Sequence, residues 1–143
     1  MAELAIKKAM KIIAEAQKKA RAMNLNDMTY VVLDAGGHLK ALVREDGTGN
    51  IGPEVGIGKA NACLSLRRSS REVAALLSGN PSLAPAIGAA VQGRFLPIPG
   101  GVLIVDRNNT VLGAAASTGD TADNDEIVII AGVEAAGYKI TLD

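Results

Sequence analysis

One imidazole and one thiol bound the ligand and acid–base chemistry open to this chain: His38 is its only histidine and Cys63 its only cysteine. A zinc site built from such side chains needs about four of them, so one copy cannot assemble it. A Ser-His-Asp or Cys-His unit would have to use His38. That residue follows Gly36-Gly37 at the start of a strand, which places its ring near a hairpin end. Two readings stand side by side there: a polar turn residue, or a ligand to a metal or to haem iron, which a neutral imidazole suits. Cys63, between Ala62 and Leu64 in an apolar helical run, reads as a small core residue.

A second group of chemically capable residues lies late in the chain. Asp120, Asp123, Asp125 and Glu126 partly reproduce the spacing of a calcium loop. They lack its glycine at the sixth position and its glutamate at the twelfth. A solvated loop running into a helix N-terminus explains the same charges. With Ser117 and Thr118 at its entry, the loop could instead orient a polar ligand group. An acid–base enzyme could use Asp125 or Glu126 with Lys59 and Arg44, although no sequence rule places them together. Gly47, Gly49, Gly52 and the run Gly56-Ile57-Gly58-Lys59 form neither a G-x-x-x-x-G-K-[ST] nor a G-x-G-x-x-G string, so nucleotide binding by those devices is not expected.

The composition excludes other classes. Fifteen basic and fifteen acidic side chains give zero formal net charge, against a nucleic-acid module or a polybasic membrane protein. The aromatic residues are Tyr30, Phe95 and Tyr138, too few for base-stacking platforms. The core must therefore come from Ala, Val, Leu and Ile. No stretch of 18 apolar residues occurs, and residues 1–23 carry no apolar signal core. A single cysteine allows no internal disulfide, and a cytoplasmic location is the expectation.

The elements that must position these residues follow from periodicity. Ala2, Ile6, Ala9, Ile13, Ala16 and Ala20 make an apolar helical stripe, with Lys7, Lys8, Lys11, Lys18 and Lys19 on the solvated face. Strands are expected over 28–33 and 39–43, joined by Asp34-Ala35-Gly36-Gly37. Residues 48–58, with four glycines and Pro53, read as a loop. Helices follow over 59–66 and after Ser69, where Ser69 and Glu72 have capping-box spacing, with a short helix near 86–91. Two prolines keep 95–101 out of any central strand. A second hairpin is expected over 102–105 and 110–116, turned by Asp106-Arg107-Asn108-Asn109. Residues 117–124 read as a polar loop, 125–137 as a helix and 138–142 as a last strand. The chain is thus a single α+β domain, 1–143, with helices covering an antiparallel sheet.

Five strings, in this order, resemble one family. VVLDAGGHLKALVREDGT, GIGKANAC, PIPGGVLI, NNTVLGAAASTG and DNDEIVIIAG are similar to the GlcG/HbpS/PduO C-terminal-like domains over nearly the whole chain. This sequence departs from the family pattern where Leu103 replaces a proline, Ala116 a glycine and Thr118 a serine. The resemblance implies a profilin-like α/β/α sandwich whose five-stranded antiparallel sheet is flanked by helices, in a homo-oligomer. It further implies a tetrapyrrole-binding accessory protein, with haem preferred and a corrinoid as the alternative. Its setting would be vitamin B12-dependent diol or glycerol metabolism, with a corrinoid adenosyltransferase or dehydratase-associated protein as partner. On that reading His38 is the axial metal ligand, Thr118 and Asp125 line the pocket, and Phe95, Ile98, Val102 and Leu103 form its apolar wall. No catalytic motif carries over. A small enzyme acting on a hydroxy acid, or an assembly subunit without a small-molecule ligand, are the alternatives.

Overall fold

A computed structural model describes residues 2–143. Helix α1 (Ile6–Ala22) is followed by strands β1 (Thr29–Asp34) and β2 (Leu39–Arg44). Three helices come next: α2 (Gly52–Leu66), α3 (Ser70–Leu77) and α4 (Leu83–Ala90). Strands β3 (Gly101–Val105) and β4 (Val111–Thr118) and helix α5 (Ala122–Ala135) complete the order. The strands form one antiparallel sheet in the order β2-β1-β4-β3.

Three layers result, because alternate residues of each central strand face opposite ways. Tyr30, Val32, Val102, Ile104 and Ala115 pack against Ile12, Ile13 and Ala16 of α1 and Val128, Ile129 and Val133 of α5. Val31, Leu33, Leu103, Val105, Ala114 and Ala116 pack against Ala60 and Cys63 of α2. A small third cluster joins the outer side of α2 to α3 and to the segment between α4 and β3 through Ala62, Val73, Leu77 and Phe95. Both hairpins stand where turn chemistry puts them, and Ser69 with Glu72 makes the full capping box at α3.

Four expectations need correction. The sheet has four strands, not five. Gly137, at φ +95°, turns the chain out of α5, and the tail makes a single bridge in which Lys139 exchanges two 2.9 Å backbone hydrogen bonds with Val105. Asn109 and Lys139 then both hold Asp143, so the last residues bend away instead of continuing a ladder.

Helix α2 starts at Gly52, inside the stretch read as a loop. Its glycines serve close packing: a Cβ on Gly56 would lie 2.6 Å from Val31 Cγ2, and one on Gly58 2.9 Å from Leu96 Cβ. The last helix begins earlier as well, at Ala122, because the Thr121 hydroxyl caps the Asn124 N–H. In α1 Ala9, Ile13, Ala16 and Ala20 of the expected stripe are buried, but Ile12 joins them and Ile6 is 53% exposed.

Burial also defines the titration of two core groups. It pushes the Cys63 thiol up to about 12 from 9.0, and it raises the Tyr30 phenol above its ordinary range, Glu45 adding to that shift. Above pH 9 the unfolded chain loses the Cys63 proton while the folded chain keeps it, so stability falls as pH rises from about 9 to about 12. Denaturant melts at stepped alkaline pH are expected to show that decline, and a thiol reagent at pH 8 should label Cys63 only after unfolding. Rapid labelling of the folded chain would contradict this burial.

Candidate functional site

Strand register sends the candidate site residues to two ends of the sheet. Thr118 lies opposite Thr29 at one end, while the β1–β2 turn that carries His38 lies beyond Asp34 at the other. Five residue steps along β1 separate these ends by about 16 Å. One pocket within a single chain therefore does not hold both His38 and Thr118.

At the turn end, the His38 side chain is 79% exposed, and its Nδ1 lies 3.4 Å from Asp34 Oδ1. The same carboxylate oxygen accepts the Gly36 and His38 backbone N–H groups at 2.9 and 3.0 Å. Burial nudges the Asp34 carboxyl upward, but the two backbone donors and the nearby imidazole hold it below its ordinary range. A groove of about 210 Å³ runs beside this turn, lined by Ala2, Leu4, Asp34, His38, Lys40 and Leu112. Leu39, next in the chain, is 55% exposed.

At the opposite end a polar cleft of about 380 Å³ lies between the turn before β1, the turn after β2, the start of α2 and the end of β4. Asn26, Asp27, Thr48, Ile51, Thr118 and Gly119 line it. Asp27 accepts the Gly47 N–H at 2.7 Å, which ties the two turns together, and Thr48 donates to the Glu45 carbonyl within the second of them. The Thr29 and Tyr30 hydroxyls, on opposite faces of β1 at this end, are buried without a hydrogen-bond partner among the described residues.

Asp125 lines neither pocket. It is buried with Lys59, Nζ to Oδ2 3.0 Å, each side chain 3% exposed. Lys59 Nζ also donates to the Ser117 carbonyl at 3.2 Å, and Asp125 Oδ1 accepts the Asp120 N–H at 2.9 Å. Gly100, at φ +128°, makes room for this pair, since a Cβ there would sit 2.7 Å from Lys59 Nζ. The sequence offered Lys59 with Asp125 or Glu126, and the fold selects Asp125; Glu126 pairs with Arg71 instead. Both Asp125 oxygens are occupied and the pair is closed to solvent, so it ties α2 to the first turn of α5.

The remaining acids disperse as well. Asp120 accepts the Asn26 and Thr121 backbone N–H groups, and Asp123 meets Arg71. Among the described residues no three His, Cys, Asp or Glu side chains converge as a metal site. The proposed apolar wall also divides: Val102, Leu103 and Phe95 belong to the core, and only Ile98 of that set is exposed. No described helix is long and apolar enough to cross a membrane.

Sequence reading overlooked Asp34 as a partner of His38. A legible signal existed, because an Asp opening a turn commonly accepts the backbone N–H group two residues on.

Comparison with known proteins places this arrangement. No curated protein matches the chain by sequence. A PduOC:haem complex superposes with a TM-score of 0.85 at 16% identity, covering 98% of this chain and 99% of that one. Klebsiella pneumoniae ORFY gives 0.84 at 23% identity, covering 95% of this chain and 92% of that one. A double mutant of Streptomyces reticuli HbpS gives 0.83 at 22% identity, covering 96% and 89%. These likenesses establish the fold. The family model described as haem degrading protein HbpS-like matches residues 4–134, and the chain therefore belongs to the HbpS-like family.

Proposed function

We propose that this protein binds haem, with His38 as the protein's ligand to the iron. The observation that carries the reading is the state of that imidazole. It is the chain's only one, it projects into solvent, and its Nδ1 faces Asp34. Membership of the HbpS-like family and the likeness to a PduO domain crystallised with haem support it.

The residues around His38 fit a haem edge in part. Leu4 and Leu112 offer an apolar floor and Lys40 a cation for a propionate. The competing thiolate ligand is absent, since Cys63 is in the core. A groove of about 210 Å³ is smaller than the roughly 300–1,000 Å³ pockets that enclose such ligands. A second copy would close the site against the exposed Leu39, so the reading includes a homo-oligomer. Haem would supply the iron, and this chain the His38 imidazole, the Lys40 cation and the Leu4 and Leu112 floor.

Haemin titration followed at the Soret band tests the proposal, with His38→Ala alongside. Saturation near one haemin per chain, lost in the variant, is the expected result. Unaltered binding by His38→Ala would remove the ligand assignment, and no saturable binding at micromolar haemin would remove the function. A parallel cobalamin titration separates haem from the corrinoid alternative, and with it any link to B12-dependent metabolism.

A further inference from the structure

Resting on the haem reading above, we infer that Asp34 is a positioning residue that holds the Nδ1 edge of His38 and so presents Nε2 to the iron. The two hairpins of the sheet make the case, because they share one turn. Asp34 Oδ1 accepts the N–H groups of Gly36 and His38; Asp106 Oδ1 accepts those of Asn108 and Thr110, both at 2.9 Å. Gly37 and Asn109 occupy the same left-handed position, at φ +81° and +63°. Thr110 thus stands where His38 stands, and that turn forms without a histidine.

What differs is the space given to the ring. A Cβ on Gly36 would lie 2.9 Å from both His38 Nδ1 and Cε1, whereas Asn108 at the equivalent position carries a side chain. The imidazole therefore folds back over Gly36 toward the Asp34 carboxylate instead of extending freely. A carboxylate facing Nδ1 favours the tautomer protonated there, leaving the Nε2 lone pair outward and making the ring a stronger donor.

Asp34→Asn isolates this effect, since the amide oxygen still accepts the two turn N–H groups while the charge is gone. Imidazole ¹⁵N shifts of the haem-free protein, measured above the ordinary imidazole titration range, are expected to show the Nδ1–H tautomer. In Asp34→Asn the Nε2–H form should gain. Haemin affinity should then fall about tenfold, and the midpoint potential of the haem-loaded variant should rise, because a weaker donor stabilises ferric iron less. If tautomer, affinity and potential are all unchanged while His38→Ala abolishes the Soret shift, the role of Asp34 falls and the haem reading stands. If His38→Ala leaves the Soret titration unchanged, the ligand assignment of His38 and the role of Asp34 fall together while haem binding itself stands; if the parent chain shows no saturable Soret titration, the haem reading falls with them.

Discussion

Lys59→Met is expected to destabilise the folded chain by about 3–5 kcal/mol, the usual cost of stranding one member of a buried ion pair. The size follows from the surroundings of the partner. Asp125 is 2% exposed, and with the ammonium gone only the Asp120 N–H remains as a donor to its carboxylate. The Ser117 carbonyl loses its donor in the same substitution. For a chain of this length the melting temperature should fall on the order of 10 °C. Lys59→Met combined with Asp125→Leu removes both charges and should recover much of that loss, because a desolvated pair contributes less than its breakage costs. Calorimetry of the two single variants and the double variant decides it. A Lys59→Met variant within about 1 kcal/mol of the parent would mean that the pair behaves like an exposed one.

Gly113→Ala should cost about 3 kcal/mol or more, at the upper end of overpacking penalties. Gly113 lies in β4 between its two neighbours, opposite Asp34 of β1 and Ile104 of β3. A Cβ there would fall on the Leu33 carbonyl oxygen, a backbone atom that cannot move without disturbing the β1–β4 ladder. Gly88→Ala supplies the opposite sign. It lies within α4 with open space around it, so the added methyl should stabilise by about 0.5–1 kcal/mol through reduced backbone entropy. Denaturant unfolding of the two variants should move the midpoint in opposite directions. A mild Gly113→Ala would show that the central strands can separate locally.

The contrast between those glycines explains where sequence reading stopped. Asp34 and Asp106 each open a turn whose hydrogen bonds close within five residues, and Ser69 and Glu72 cap one helix end. Such features are local, and they were legible. Gly52, Gly56 and Gly58 resemble loop residues by the same local logic, yet they lie in α2, where Thr29, Val31 and Leu96 occupy the space that side chains would need. A glycine reports both backbone freedom and a missing Cβ, and only its neighbours say which matters.

The candidate site divides in the same way. Sequence alone established a single imidazole, a thiol set in an apolar helix, an α+β order and the strings that resemble the HbpS-like family. Tertiary structure decided that His38 and Thr118 occupy opposite ends of β1, that Asp125 is sealed against Lys59, and that the fifth strand shrinks to one bridge. Those outcomes depend on strand register and on contacts between residues dozens of positions apart. Residue type and local spacing carry no record of either.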